Sequence, residues 1–287
     1  MLASSLSILH ASTHSTKPPL TMQAIAARQT LPCYPPLAAD PASCSKAPHM
    51  NAFVISWEDV IAPMSFLAQR VGLQPTRSSM EAAKAAYSQD RYLQQALASV
   101  EEEAMGLLCT AATMGPVFIV TERSVRYLES TCAAFLPRLA SWLASADSAN
   151  VPQQFRVRVI AAPQKFATIM ESSAWLSRVY QQLVKVVVCD VHGASVSAGA
   201  LTTAQRLLQQ RESGVLGLVS ISAAAATQAA SVRAFDVAPY LIPKGVHVPG
   251  GDPNSALNLE HFFAQLRTLQ GYVVVATAHD AAFSTTL

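Results

Sequence analysis

The run AFVIS, from Ala52 to Ser56, and the run VFIVT, from Val117 to Thr121, decide the fold class of this chain. Both runs are short and almost wholly apolar, which is typical of strands buried on both faces of a parallel sheet. Helical segments alternate with them along the chain. Four further strands are predicted near Arg156 to Ala161, Val184 to Asp190, Val215 to Ile221 and Tyr240 to Ile242. We therefore expect an α/β fold with a Rossmann-like parallel sheet flanked by helices.

A small helical insertion is predicted after the first strand, from about residue 64 to residue 113. Ala, Leu, Met, Glu and Gln dominate its main part, from Ser79 to Thr113, and these residues favour helix. A break is expected near Ser88 to Arg91. A last helix is predicted from about Leu257 to Leu269, and the patch from Gly245 to Asp252, which holds glycine and proline, predicts a surface loop.

The composition excludes several classes of function. With 287 residues, of which 51% are hydrophobic and 13% charged, the chain is long enough to bury a sizeable core. Its formal net charge of +2 comes with scattered basic residues, so direct binding of nucleic acid is not expected. The five cysteines form no C-x-x-C pair, which predicts neither a zinc site nor a disulfide framework and fits the reducing cytoplasm. No run reaches the roughly 18 to 20 apolar residues of a membrane helix, so membrane insertion is not expected.

Residues 1 to 49 differ from the rest and are interpreted as an extended N-terminal arm rich in Pro, Ser and Thr. They hold seven of the 17 prolines and show no periodic apolar pattern. Their only acidic residue is Asp40, which gives them some similarity to a mitochondrial transit peptide. The alternatives are a cleaved presequence and a retained arm that binds protein partners. One α/β domain is expected to follow, from residue 50 to residue 287.

An ordered series of motifs resembles a protist and algal branch of the haloacid-dehalogenase superfamily. FVISWEDVIAPMSFL, from Phe53 to Leu67, resembles the opening of that branch, an apolar strand followed by D-W-D-D-T-L-L-P-x-S-F/W-L. VFIVTERSVRYLESTCAAFLPRL, from Val117 to Leu139, is similar to its second motif, a strand that ends in I-V-T-N before an aromatic-rich helix and F-L-P. Later segments follow in the same order up to about Ala282. The resemblance implies a haloacid-dehalogenase-like fold over most of the chain after the arm.

The resemblance also implies a phosphoryl-transfer site and assigns positions to its residues. In that family an aspartate after the first strand attacks phosphorus, a second aspartate two residues on protonates the leaving group, and Mg²⁺ bridges the nucleophile and a later carboxylate. The nucleophile position is held here by Ser56 and the acid position by Glu58, followed by Asp59. Thr121 matches the phosphate-binding hydroxyl, and Asp190 matches the metal-binding carboxylate after a strand.

The phosphate-binding lysine of the family has no direct match. Leu176 stands in its place, although Lys165, Arg178 or Lys185 could reach the same point. A serine hydroxyl does not ligate Mg²⁺ as a carboxylate does, and no recognisable base stands beside it in the sequence, so the ordinary reaction should be lost. We expect no catalytic residue and no resident cofactor, with Asp190 as the metal ligand of any weak Mg²⁺ site.

Each surviving residue also has a structural interpretation. Thr121 and Asp190 could cap the turn or helix that follows them, and Glu58 and Asp59 could accept hydrogen bonds from loop amides. Both interpretations remain open from the sequence alone.

These substitutions predict a non-catalytic pseudoenzyme that acts as a structural or scaffolding subunit of a larger assembly. Protein partners would bind through the arm and the domain surface. One alternative is a weak Mg²⁺-dependent phosphatase, and another is a phosphate-binding sensor without turnover. The expected location is the cytoplasm, in a cytoskeletal or axonemal complex, and the alternative location is the mitochondrion.

Overall fold

The computed structural model describes residues 50–146, 157–191, 216–224, 227, 229, 230, 233, 241–249 and 258–287. All of them belong to the unit Lys46–Leu287. The predicted arm, residues 1–49, lies outside the described residues, so its prediction stays untested.

Six parallel strands and seven helices make up the described part of the chain. The strands are Met50–Ser56 (β1), Val117–Thr121 (β2), Val157–Ala161 (β3), Leu216–Ser222 (β4), Leu241–His247 (β5) and Phe283–Thr286 (β6). The helices are Met64–Val71 (α1), Arg77–Gln89 (α2), Arg91–Met114 (α3), Val125–Phe135 (α4), Pro137–Ala146 (α5), Ile169–Val191 (α6) and Leu259–Ala278 (α7). Within these described ranges, no helix has both the length and the apolar character that crossing a bilayer requires.

The strands form one sheet in the order β3-β2-β1-β4-β5-β6, with every neighbouring pair parallel. This is the doubly wound order of a Rossmann-like fold, so the predicted fold class is confirmed. The helical insertion predicted after the first strand is present as α1, α2 and α3.

Helices bury both faces of the sheet. Phe53 and Ile55 of β1 pack into the core formed with α1 to α5 and α7, whereas Ala52 and Val54 pack on the opposite face, against α6. Successive side chains of a strand point to opposite faces, so a strand covered on both sides needs apolar residues throughout. The continuous run AFVI therefore folds as an interior strand.

A short polar segment separates α2 from α3, as predicted near Ser88 to Arg91. Asp90 begins α3, because its Oδ1 accepts a hydrogen bond from the backbone N–H of Leu93 at 3.0 Å. Its Oδ2 also accepts from Nη2 of Arg70 at 2.8 Å. The hydrogen bond from the Leu93 amide, followed by the one from Arg70, lowers the pKa of Asp90. A charged N-cap therefore ends one helix and starts the next.

The predicted strand from Val184 to Asp190 is wrong, because these residues belong to α6. The residues of α6 that are buried against the sheet follow the helical period: Leu176, Tyr180, Leu183, Val184 and Val187. The run VKVVVC looks like a buried strand only when it is taken without the 15 residues of the helix that precede Val184. Short apolar runs leave this ambiguity open, and here packing decided for helix.

Two other predictions differ from the structure in their bounds or content, and one strand was not predicted. The last helix is longer than predicted and runs from Leu259 to Ala278. Gly245 to His247 form the end of β5 instead of a surface loop, since they pair with both β4 and β6. Residues 250 to 252 of that patch lie outside the described residues. The strand β6, from Phe283 to Thr286, was not predicted, because four residues with alternating exposure give a weak apolar signal.

Candidate functional site

The candidate site lies at the carboxyl ends of the central strands. In the observed order, β2 and β3 lie on one side of β1, and β4, β5 and β6 lie on the other. The strand order therefore reverses between β1 and β4, and the connections on the two sides diverge there. This reversal leaves a crevice outside the carboxyl ends of the strands, where doubly wound proteins bind ligands. A pocket of about 350 Å³ occupies this position and is lined from the ends of β1, β2 and β4 and from the loop before α6.

Ser56, the residue assigned to the nucleophile position, ends β1 and lines the pocket. Its side chain is buried, with 8% of the residue exposed. Trp57, which follows it, turns back into the core and is 1% exposed. The end of β1 therefore contributes a small hydroxyl residue to the pocket lining. The buried side chain of Trp57 anchors the backbone directly after it.

Glu58, which lines the pocket, forms a hydrogen-bonded pair with Thr121, the last residue of β2. The Thr121 hydroxyl donates to Oε1 of Glu58 at 2.5 Å and accepts from the backbone N–H of Arg123 at 3.1 Å. Burial raises the pKa of Glu58, whereas the hydrogen bond from Thr121 and the charge of Arg123 oppose that rise. Since a hydroxyl has one proton, Thr121 has no donor left for a ligand in this arrangement.

Asp59 has a structural role in the loop between β1 and α1. Its Oδ1 accepts from the backbone N–H of Ser65 at 2.8 Å, and its Oδ2 accepts from the Ser65 hydroxyl at 2.5 Å. Its backbone has a φ of 56°, in the left-handed region that aspartate tolerates better than most residues. The carboxylate therefore holds the first turn of α1, as the structural interpretation predicted.

The pocket carries two basic side chains, Arg123 and Lys165, which are both exposed. Neither forms an ion pair with another residue in the described ranges. Of the three basic residues considered for the missing lysine, Lys165 is the one that lines the pocket. Arg178 is exposed on α6 without lining it, and Lys185 lies one turn and a half before the end of that helix.

Leu176 and Phe166 form an apolar wall of the pocket. Leu176, which the resemblance assigns to the lysine position, is 1% exposed and belongs to the core between α6 and the sheet. Phe166 is partly buried and packs against Trp175, with 5.4 Å between the ring centroids and 41° between the ring planes. Phe166 was not predicted as a site residue, because one aromatic residue in a loop forms no recognisable sequence pattern.

Asp190 does not lie at a strand end beside Ser56. It stands in the last turn of α6, whereas the strand that neighbours β1 is β4. That strand ends at Ser222, and the two residues that follow it, Ala223 and Ala224, line the pocket. The Ser222 hydroxyl accepts a hydrogen bond from the backbone N–H of Ala224 at 2.9 Å and donates to its carbonyl oxygen at 3.1 Å. The strand whose end was to carry Asp190 is a helix, so the strand-end position predicted for this carboxylate is wrong, whereas its role as a metal ligand stays a prediction.

The described part of the chain contains no cluster of three or more His, Cys, Asp or Glu side chains placed to hold a metal ion. The carboxylates of the pocket floor, Glu58 and Asp59, instead accept hydrogen bonds from Thr121 and Ser65. Fold and site together define a doubly wound α/β domain with a partly open, mixed-charge pocket at the reversal of its sheet. Comparisons with protein-family models, with curated proteins and with solved structures find no match.

Proposed function

We propose that this chain is a non-catalytic, haloacid-dehalogenase-like pseudoenzyme that acts as a structural or scaffolding subunit of a larger assembly. One observation carries the proposal: the floor of the pocket presents the Ser56 hydroxyl where phosphoryl transfer needs a carboxylate. The neighbouring carboxylates, Glu58 and Asp59, are engaged in hydrogen bonds within the chain. The same residues that would have to react stabilise the loop instead.

The chemistry of the site supports this proposal. An aspartate nucleophile serves both to attack phosphorus and to ligate Mg²⁺, and serine performs the first task only with a base beside it. Oε1 of Glu58, the nearest acid in the sequence, already accepts the Thr121 hydroxyl at 2.5 Å, and this hydrogen bond opposes the rise in pKa caused by burial and so weakens Glu58 as a base. After β4, the pocket is lined by Ala223, Ala224 and Thr227, none of which offers a carboxylate to a metal.

The proposed partners are proteins, bound through the arm of residues 1–49 and through the domain surface. Several large hydrophobic residues of the described surface support a protein partner: Tyr92 is 73% exposed, Ile169 83% and Met170 82%. We propose a cytoplasmic location, in a cytoskeletal or axonemal complex, with the mitochondrion as the alternative. No Mg²⁺ is needed for this role.

A phosphate-binding sensor is the second candidate function. It is favoured by Arg123 and Lys165, two basic side chains that line the pocket without an ion-pair partner in the described part of the chain. Thermal unfolding with added inorganic phosphate tests it, because a ligand that binds only the folded chain raises the melting temperature. Stabilisation that disappears in an R123Q/K165Q double variant would favour the sensor over the scaffold.

A phosphatase assay tests the main proposal. The purified full chain is incubated with p-nitrophenyl phosphate, with and without Mg²⁺, beside the variants Ser56→Ala and Glu58→Gln. We expect no turnover above the buffer rate in any of the three. Mg²⁺-dependent turnover that either substitution abolishes, while thermal unfolding shows the variant folded, would overturn the proposal and favour the weak phosphatase.

A further inference from the structure

We propose that the pocket at the carboxyl ends of the sheet docks an acidic, apolar segment of a partner protein. Arg123 and Lys165 would bind its carboxylate, and Phe166, Ile169 and Met170 would contact its apolar side chains. The inference rests on the proposed scaffolding function and names the chemistry of the partner at this site.

The charge of the pocket rim supports an anionic ligand. Arg123 follows β2 and Lys165 precedes α6, so two different elements bring a positive charge to one pocket. Both side chains are exposed and have no ion-pair partner among the residues that the structure describes. Arg123 lies within electrostatic reach of Glu58, but no ion-pair contact within 4.0 Å joins the two side chains. Both cations are therefore available to a carboxylate that arrives from outside.

The floor of the pocket does not suit a small dianion. The Thr121 proton is directed at Glu58, and Asp59 and Glu122 add further negative charge to the lining. A dianion seated deep in the pocket would meet these acids without a hydroxyl donor from Thr121. A single carboxylate held at the rim, next to Arg123 and Lys165, avoids both difficulties.

The apolar surface beside the rim supports a ligand larger than the pocket. Ile169 and Met170 follow Phe166 by three and four residues and are 83% and 82% exposed. Both residues stand in the first turn of α6, where the Glu171 N–H donates to the Thr168 hydroxyl at 3.2 Å. The Glu171 carboxylate in turn accepts from the Ala167 N–H at 2.9 Å.

A small molecule inside a pocket of about 350 Å³ would leave this apolar pair exposed. A peptide that places a carboxylate at the rim and an apolar residue beside it would cover both features. Polar groups that border exposed apolar side chains are an arrangement found at protein interaction sites. We therefore favour a protein segment over a free metabolite.

A positional-scanning hexapeptide library tests the proposal on the full chain. We expect selection of Asp or Glu at one position and of large apolar residues next to it. The best-selected peptide, labelled with fluorescein, should bind about threefold to fivefold more weakly to Arg123→Gln and to Lys165→Gln, the upper range for an exposed ion pair. Arg126→Gln, an exposed arginine on α4 that does not line the pocket, is the matched control and should bind as the wild type does.

The apolar contact has its own control. An I169S/M170S double variant should bind more weakly, whereas V274S/V275S, which changes two exposed valines on α7, should not. The proposal is overturned if the library selects no acidic residue, or if its selection persists in R123Q/K165Q while circular dichroism shows that variant folded. Phosphate-dependent stabilisation without peptide selection would also overturn it. None of these outcomes depends on the phosphatase assay, so failure here leaves the scaffolding proposal intact.

Discussion

Glu101 is a buried acid whose replacement gives the sharpest test of how this fold is held together. It lies in α3, is 2% exposed, and its Oε1 accepts from the backbone N–H of Leu139 at 2.7 Å. Leu139 is the third residue of α5, so its N–H has no partner within that helix. Pro137, the first residue of α5, has no N–H to satisfy. The carboxylate of one helix therefore caps the next.

The expected cost of Glu101→Ala follows from these contacts. A hydrogen bond to a charged acceptor contributes about 1.5 to 3 kcal/mol, and removing one buried methylene costs about 0.8 kcal/mol more. We expect a loss of about 3 kcal/mol in the free energy of unfolding, or about 6 to 12 °C in melting temperature for a domain of this size. Glu101→Gln keeps an acceptor oxygen and should lose about 1 kcal/mol.

Urea unfolding followed by circular dichroism measures both losses, and Glu102→Ala is the matched control. Glu102 is the exposed neighbour on the same helix, so its replacement should change the unfolding free energy by no more than about 0.5 kcal/mol. If Glu101→Ala were as stable as Glu102→Ala, the carboxylate would not be capping α5, and the reasoning from the Leu139 amide would be refuted.

Three further predictions follow from buried groups. Gly217→Ala should lose about 1 to 3 kcal/mol of unfolding free energy, because the added Cβ would lie 2.3 Å from Oδ1 of Asn51. The Cβ added by Gly271→Ala on α7 would have no atom within 4 Å, so this variant should gain about 0.5 to 1 kcal/mol. Urea unfolding of both variants checks this contrast. Burial raises the pKa of Glu58 above its usual 4.5, so the folded chain binds this proton more tightly than the unfolded chain does. The unfolding free energy of the wild type relative to Glu58→Gln should therefore rise as the pH falls from 7 towards 4.5, and a flat difference would contradict the burial of that charge. Burial, with a smaller effect from a nearby acid, raises the pKa of Cys132 to about 12, so mass spectrometry should find this thiol unmodified by iodoacetamide at pH 8 until urea unfolds the chain.

The interior strands could be predicted because burial on both faces leaves a signal that depends on no partner. β2 has the same bounds as the run VFIVT, and β1 and β4 differ from their predicted bounds by two residues or fewer at each end. The run from Val184 to Asp190 carries the same local signal but belongs to a helix. Its helical period becomes visible only when Leu176 and Tyr180, earlier in the same element, are included. A window of seven residues cannot distinguish these cases.

The candidate site could be predicted only as far as it depends on strand ends. Ser56 and Glu58 do line the pocket, and Thr121 is hydrogen-bonded to Glu58, because β1 and β2 are adjacent in the sheet. The hydrogen bond between Glu58 and Thr121 joins residues 63 positions apart and follows from side-chain packing, which no local pattern contains. Lys165 was one of three residues considered for the phosphate-binding cation. The sequence did not distinguish it from the other two, because the path of the loop before α6 cannot be predicted from a local pattern.

The pairing of β1 with β4 also constrains how the chain can be synthesised. One edge of β1 pairs with β2, but its other edge stays open until residues 216 to 222 leave the ribosome. At about 5 to 20 residues per second, that wait after β3 has emerged is on the order of several seconds. During this time an apolar strand edge lies ready for pairing with another nascent chain. The order of the strands along the chain therefore places the risk of mispairing before β4 has been translated.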